Sequence, residues 1–272
     1  MRDTDQSLLS VAVDKFCTLV DASKQHVALA VAMSADDVFV RSIITPSGLS
    51  DTQLEQLAIV EAVVNLPVPP EEICLDFIRL DDAAKTTEEK TRLAFCRRER
   101  IDEILAGVEG APLSVAVVDR DVQALHDAVF SVAAVSGQAP IRYPFGLLLT
   151  EINPRLIICL DALTFEIYPV RIAISDPADL QTELRQQLSH CWTRCRMAQG
   201  VDALTLETLI CIGEGLPDDA AWLAGLSLEN GQGISRLALS MLRDSMFMLS
   251  DSATPSDEVL LIALGMVNRV LR

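Results

Sequence analysis

Ser47-Gly48-Leu49-Ser50-Asp51-Thr52-Gln53-Leu54-Glu55, continued through Glu61 to Leu66-Pro67-Val68-Pro69-Pro70-Glu71-Glu72-Ile73-Cys74-Leu75-Asp76-Phe77, is the stretch on which the fold turns. Ser50 with Gln53 three residues on makes a capping box, in which two otherwise orphaned backbone N–H groups gain side-chain acceptors. Leu54, Leu57, Ala58, Glu61, Ala62 and Asn65 then fall on one side of a helix. Pro67, Pro69 and Pro70 forbid its continuation, because proline lacks the N–H and restricts the residue before it. Residues 73–80 alternate Ile, Leu, Phe and Ile with Cys, Asp and Arg, the period of a strand. A capped helix, a proline stop and a strand are predicted here.

Working outward, residues 27–33 are a continuous apolar run of strand length, as in a strand buried on both faces. Residues 38–44 are β-branched and follow an Asp-Asp turn, so they read as a second strand. An apolar stripe over 7–21, from Leu8 to Val20, predicts a helix capped by Asp5 or Ser7. Residues 81–90 are charged and read as a loop, and 92–96 as a short strand. A helix follows over 98–108, a buried strand over 113–118 and a helix over 122–135. Gly137, Pro140 and Pro144 mark a linker over 136–144. Beyond it come three strands in a meander, 146–150, 156–161 and 165–172. Asp176 and Pro177 then open a long helix reaching 197. A strand at 208–212, a helix from about 218, a loop at 227–233, a Met-rich helix at 237–249 and a last helix at 256–271 complete the chain. The alternation of strand and helix in two blocks meeting near residue 140 predicts a two-lobed α/β protein.

Composition narrows the function. The 272 residues are half apolar and poor in aromatics, so aliphatic side chains build the core. Twenty-two Lys and Arg against 39 Asp and Glu leave a net charge of −17, which repels phosphate backbones and argues against direct nucleic-acid binding. The tight basic cluster Arg97, Arg98 and Arg100 stands among Glu99, Asp102 and Glu103, as on a solvated helix start. Seven cysteines, mostly inside apolar runs, fit small buried side chains in a reducing compartment. The first residues lack the apolar segment of a signal peptide, and no apolar run reaches the roughly 20 residues of a membrane span. A soluble, cytoplasmic protein is expected.

Residue chemistry alone names no reaction. Gly213-Glu214-Gly215 follows an apolar strand and precedes a helix, a junction that can offer backbone N–H groups to a phosphate. Glu214 puts negative charge beside any such phosphate, and the glycines equally serve to turn the chain. Cys191 and Cys195 share a helix face, but His190 points elsewhere and no further ligands complete a zinc site; two small residues flanking Trp192 are the expectation. His26, His126 and His190 have no Gly-x-Ser-x-Gly elbow to complete a triad. Glu71-Glu72 and Asp81-Asp82 read as loop acidity.

Four collinear segments resemble the PilM-like proteins, actin-like components of type IV pilus and DNA-uptake machines. They are residues 27–33 with 46–77; residues 92–126, with Val117-Val118-Asp119 and the Asp121-x-x-Ala124-Leu125 helix; residues 207–226 around the strand-to-glycine turn; and residues 257–272 with Ala263-Leu264-Gly265-Met266. The resemblance implies an actin-like (ribonuclease H-like) two-lobed fold. It implies an inserted 1C-type subdomain over 35–110, a first lobe from 1–34 and 111–140, and a shortened second lobe over 141–272. The family's N-terminal phosphate hairpin is expected to be absent, and Thr150-Glu151-Ile152-Asn153-Pro154 stands where a second Asp-x-Gly phosphate loop belongs. The short HofM-type branch is the most similar. By that resemblance the chain is a non-enzymatic cytoplasmic adaptor that binds the cytoplasmic tail of a PilN-like inner-membrane protein, through a surface including Leu66, Pro67, Pro69 and Phe77. Gly213 and Gly215 are then a vestigial nucleotide site, with no cofactor required. Weak ATP binding there, or a small-molecule enzyme on an α/β scaffold, are the alternatives.

Overall fold

The computed structural model describes residues 27–80, 88–136, 140–151, 153–172, 176–200, 204–213, 216–217, 219–228, 233–237 and 256–270. The helix expected over 7–21 lies outside them, as does all but the first residue of the one expected over 237–249. The chain divides into two compact units, 1–121 and 122–272.

In the first unit β1 (Val27–Met33) pairs in parallel with β5 (Leu113–Arg120). Everything between them in sequence builds a separate antiparallel sheet. This comprises β2 (Phe39–Pro46), α1 (Asp51–Asn65), a 3₁₀ turn (Pro70–Glu72), β3 (Ile73–Leu80), β4 (Glu88–Arg97) and α2 (Arg98–Val108), with strand order β2-β4-β3. The capping box forms as read. Gln53 N–H donates to Ser50 Oγ at 3.3 Å, and Ser50 N–H donates to Gln53 Oε1 at 2.9 Å. Leu54, Ala58 and Ala62 are buried along α1, and Ala58, Ala62, Leu66, Ile73, Leu93 and Phe95 form one apolar core. Phe39 stacks on Phe95 across the strands, ring centroids 5.7 Å apart.

One expectation is corrected here: β4 begins at Glu88, inside the expected loop, and runs ten residues. It is the central strand, paired with β2 over residues 88–95 and with β3 over 90–97, and these ladders hold its polar half extended.

In the second unit α3 (Asp121–Ser136) leads to β6 (Phe145–Leu149), β7 (Arg155–Cys159) and β8 (Phe165–Pro169), the expected meander. Then follow α4 (Pro177–Gln199), β9 (Thr208–Ile212), α5 (Ala220–Ala224), β10 (Gly233–Arg236) and α6 (Asp257–Val270). The sheet order is β10-β9-β6-β7-β8, with β6, β9 and β10 parallel and β6 to β8 antiparallel. Every residue of β6 and β7 is buried. Asp176 caps α4, its carboxylate accepting from Ala178 N–H, and Gly200 ends it in the left-handed conformation. β10 is a strand that its sequence, Gly-Ile-Ser-Arg, does not announce. Pairing with the buried β9 makes it one, and Leu237 N–H extends the contact to Cys211 C=O.

α6 crosses α3 at a backbone-to-backbone contact. A Cβ at Gly265 would lie 1.9 Å from the Ala124 carbonyl oxygen, so only glycine permits this approach. Arg155 on β7 and Glu258 on α6, both buried, form an ion pair at 2.9 Å.

Candidate functional site

The face of the β2-β4-β3 sheet turned away from α1 is open. Side chains alternate across a sheet, so Leu75 and Phe77, which pack toward the α1 core, leave Cys74 and Asp76 on the opposite side. Cys74, Asp76, Ala94 and Cys96 face the open side, where they wall a cavity of about 210 Å³. Met33, Val38 and Ile101 add apolar surface from the end of β1, the turn after it and α2, and Val118, Asp119 and Arg120 come from the end of β5.

Two polar contacts set the rim. Asp121 Oδ1 accepts from Ala35 N–H at 3.0 Å, fixing the turn that carries Val38. Arg100 on α2 donates to Asp37 at 2.8 Å, which also raises the arginine's affinity for its proton. Arg120 brings positive charge to the wall. Burial lowers its pKa, and the nearby Asp121 and Asp119 carboxylates act in the opposite direction. The cavity therefore has apolar walls, two carboxylates and a partly desolvated guanidinium, the composition of a site for an extended peptide with a few polar groups.

The sequence-derived partner residues lie around this sheet in different settings. Leu66 is buried in the α1 core, and Phe77 packs against that same core. Pro67 and Pro69 are exposed where the chain leaves α1. None of the four lines the cavity. The lining residues Asp76 and Cys74 are one and three positions from Phe77, and the period-2 alternation of residues 73–80 already puts them on the face opposite to it. Asp119 and Arg120 follow the Val117-Val118 run, and only the tertiary fold brings them there.

At the other candidate site, Gly213 ends β9 with φ of +109°, and Gly215 lies outside the described residues. Thr150, at the end of β6, donates its N–H and its hydroxyl to Ile212 C=O at 3.2 and 3.1 Å. A Cβ on Gly213 would meet Thr150 Oγ1 at 2.5 Å and Glu151 Cγ at 2.8 Å. The glycine thus makes room for the neighbouring Thr150-Glu151 turn, and a carboxylate side chain stands against it.

His126 is a core histidine. Its Nδ1 lies 2.8 Å from Asp127 Oδ1 and its Nε2 2.5 Å from the Tyr143 hydroxyl. A carboxylate only accepts, so Nδ1 donates to Asp127. Phe130, Phe145 and Phe165 pack around the ring. His190 is exposed on α4 while Cys191, Trp192 and Cys195 are buried, as expected of packed residues. His26 lies outside the described residues. Among the described residues no three His, Cys, Asp or Glu side chains gather as for a metal ion, and no helix is long and apolar enough to cross a membrane. In the basic cluster, Arg98 donates to the carbonyls of Glu71 and Ile73, and Arg100 pairs with Asp37 and Glu103.

Known proteins share this architecture. A solved structure described as the PilM–PilN type IV pilus biogenesis complex superposes with a TM-score of 0.65 over 97% of this chain and 85% of the other, at 18% identity. The cytoplasmic domain of EpsL, an inner-membrane component of the type II secretion system of Vibrio cholerae, superposes with a TM-score of 0.52 over 97% of this chain and 80% of that one, at 14% identity. These likenesses establish the actin-like α/β fold expected from the sequence. The family model described as type IV pilus assembly protein PilM matches residues 2–139. That match takes in half of the chain, including the whole of the open-faced sheet and its cavity, and the chain belongs to the PilM family of type IV pilus assembly proteins.

Proposed function

We propose that this protein is a non-enzymatic adaptor that holds the cytoplasmic tail of a PilN-like inner-membrane protein in the cavity beside β3, β4 and β5. It thereby sits at the inner face of the inner membrane without spanning it, as part of a pilus or DNA-uptake machine. The cavity carries this reading, with its apolar walls, Asp76, Asp119 and Arg120, in a chain of the PilM family. The solved relative in complex with PilN supplies the class of partner. In family terms, residues 35–110 act as the inserted 1C-type subdomain, 1–34 with 111–140 as the first lobe and 141–272 as the second. Pro67 and Pro69 are exposed where the chain leaves α1, and Leu66 and Phe77 pack in the core on the other side of the sheet from the cavity.

The test is binding of a fluorescent synthetic peptide with the N-terminal sequence of the PilN-like protein encoded in the same genome. Micromolar binding is expected. Ala94→Phe, which puts a ring into the cavity from the middle of β4, weakens it at least about tenfold, or ~1.4 kcal/mol. Absence of binding, or equal binding by Ala94→Phe, overturns the reading. ATP binding at Gly213 is disfavoured by the Glu151 carboxylate packed against that glycine. Millimolar Mg-ATP is therefore expected to leave the melting temperature unchanged, whereas a ligand at 100 times its Kd adds about 2.7 kcal/mol of stability.

A further inference from the structure

We propose that Cys74 and Cys96 form a cross-strand thiol pair in the cavity wall that low-molecular-weight disulfides convert to an intrachain disulfide. The register places the two residues directly opposite each other on β3 and β4. Directly opposed residues of antiparallel strands share a face, with Cα atoms about 4.5–5.5 Å apart, inside the roughly 4.4–6.8 Å span of a disulfide. Their Cβ atoms, about 4.5–5.5 Å apart in such pairs, need to close to roughly 3.5–4.5 Å, a small backbone adjustment of two strands paired over eight residues, and χ1 rotation then brings the two sulfurs together. Both cysteines are free and both line the same cavity. Cys74 is half-buried and the more accessible of the two, and Cys96 is buried.

These positions assign the roles. Cys74, as thiolate, attacks one sulfur of the incoming disulfide RSSR; a Cys74–S–S–R bond forms and RS⁻ leaves and takes up a proton. Cys96 gives its proton to solvent and attacks Cys74 Sγ; the intrachain bond forms and the second RS⁻ leaves and is protonated. The protein dithiol loses two electrons and two protons, and RSSR becomes two RSH. Burial, with smaller contributions from Cys74 and Asp37, pushes the Cys96 thiol up to about 11, which makes the second step the slower one. The other described cysteines, Cys159, Cys191, Cys195 and Cys211, are buried in the second unit and have no directly opposed cysteine in the sheet register. The bond needs no occupant in the cavity; only its effect on tail uptake rests on the function proposed above.

The full chain is incubated with glutathione disulfide, alkylated, digested and mapped by mass spectrometry. Two of the seven thiols are lost, and the product is a Cys74–Cys96 cross-linked peptide. In Cys96→Ser the reaction stops at one glutathione on Cys74, and Cys74→Ser leaves Cys96 a thiol. Retention of both thiols in the folded chain, or coupling of either cysteine elsewhere, overturns the inference. Peptide binding measured on reduced and cross-linked protein separates the two proposals. A cross-link that forms in a protein that fails to bind the tail removes the adaptor reading alone, and tail binding to a protein that never cross-links removes the thiol pair alone.

Discussion

Replacing Gly265 by alanine should destabilise the second unit, against the usual sign of that substitution. In an exposed helix interior, Gly→Ala gains about 1 kcal/mol, because alanine surrenders less backbone freedom on folding. Gly265 lies within α6 at its crossing with α3, and the added methyl would stand 1.9 Å from the Ala124 carbonyl oxygen and 2.4 Å from its carbon. Contacts below 3.0 Å force movement, and here the obstacle is backbone, which no rotamer change relieves. α6 must retreat by roughly an ångström, and overpacking of that kind costs ~1–3 kcal/mol, sometimes more. Retreat also pulls Glu258, on the same helix, from Arg155. The net expectation is a loss of ~1–2 kcal/mol, a fall of roughly 2–8 °C in melting temperature for a domain of this size. Circular dichroism melts of wild type, Gly265→Ala and Ala263→Gly make the comparison. Ala263 is exposed on the same helix and should show the ordinary propensity cost of ~1 kcal/mol when changed to glycine. A Gly265→Ala protein as stable as wild type, or more so, refutes the close-approach argument.

Glu258→Gln removes the Glu258 charge from its pair with the buried Arg155 guanidinium and should cost ~3–5 kcal/mol in denaturant unfolding, whereas Arg155→Met with Glu258→Met should recover most of it; equal losses in the single and double variants refute the pairing. Burial, aided by the nearby Cys159, Asp161 and Asp127, raises the Tyr143 hydroxyl to about 12 from 10.0, so the folded state holds that proton longer than the unfolded chain does. This contribution to stability is complete below pH 10 and disappears as pH rises towards 12. The Cys96 and Cys195 thiols, raised by burial to about 11 from 9.0, act in the same direction from pH 9. Denaturant midpoints should therefore fall across pH 9–12, less steeply in Tyr143→Phe, and a flat profile contradicts the burial of these groups.

Local rules carried the fold a long way. The Ser50–Gln53 box, the proline stop and the alternation of Ile73–Leu80 are short-range events, and each stands where its residues put it. The helices at Arg98–Val108 and Pro177–Gln199 and the strand Thr208–Ile212 are likewise set by their own periodicity and caps. The polar half of β4 and the four residues of β10 were illegible because neither has a strand signature of its own; partners on either side of β4, and β9 beside β10, make them strands. The cavity was harder still. Its wall is drawn from the end of β1, two strands of the inserted sheet, α2 and the end of β5, and no periodicity within one element records that meeting. Pro67 and Pro69 drew attention by their chemistry, while Cys74 and Asp76 reach the cavity through strand parity and register. Glycine 265 shows the reverse case: the Ala263-Leu264-Gly265-Met266 motif was legible, and its physical reason emerged only with Ala124 beside it.

The parallel pairing of β1 with β5 has a kinetic side. β3 and β4 pair as neighbours in sequence, β2 adds to the far side of β4, and α1 covers the sheet from within the same segment, so this region can collapse on its own. β1 and β5 meet only across the whole of that segment, from Met33 to Leu113. Chain entropy penalises such distant pairings until the intervening residues are compact. The inserted sheet is thus the part of the chain that brings β1 and β5 within reach, and the cavity, which needs the ends of both, is among the last features to be completed during folding.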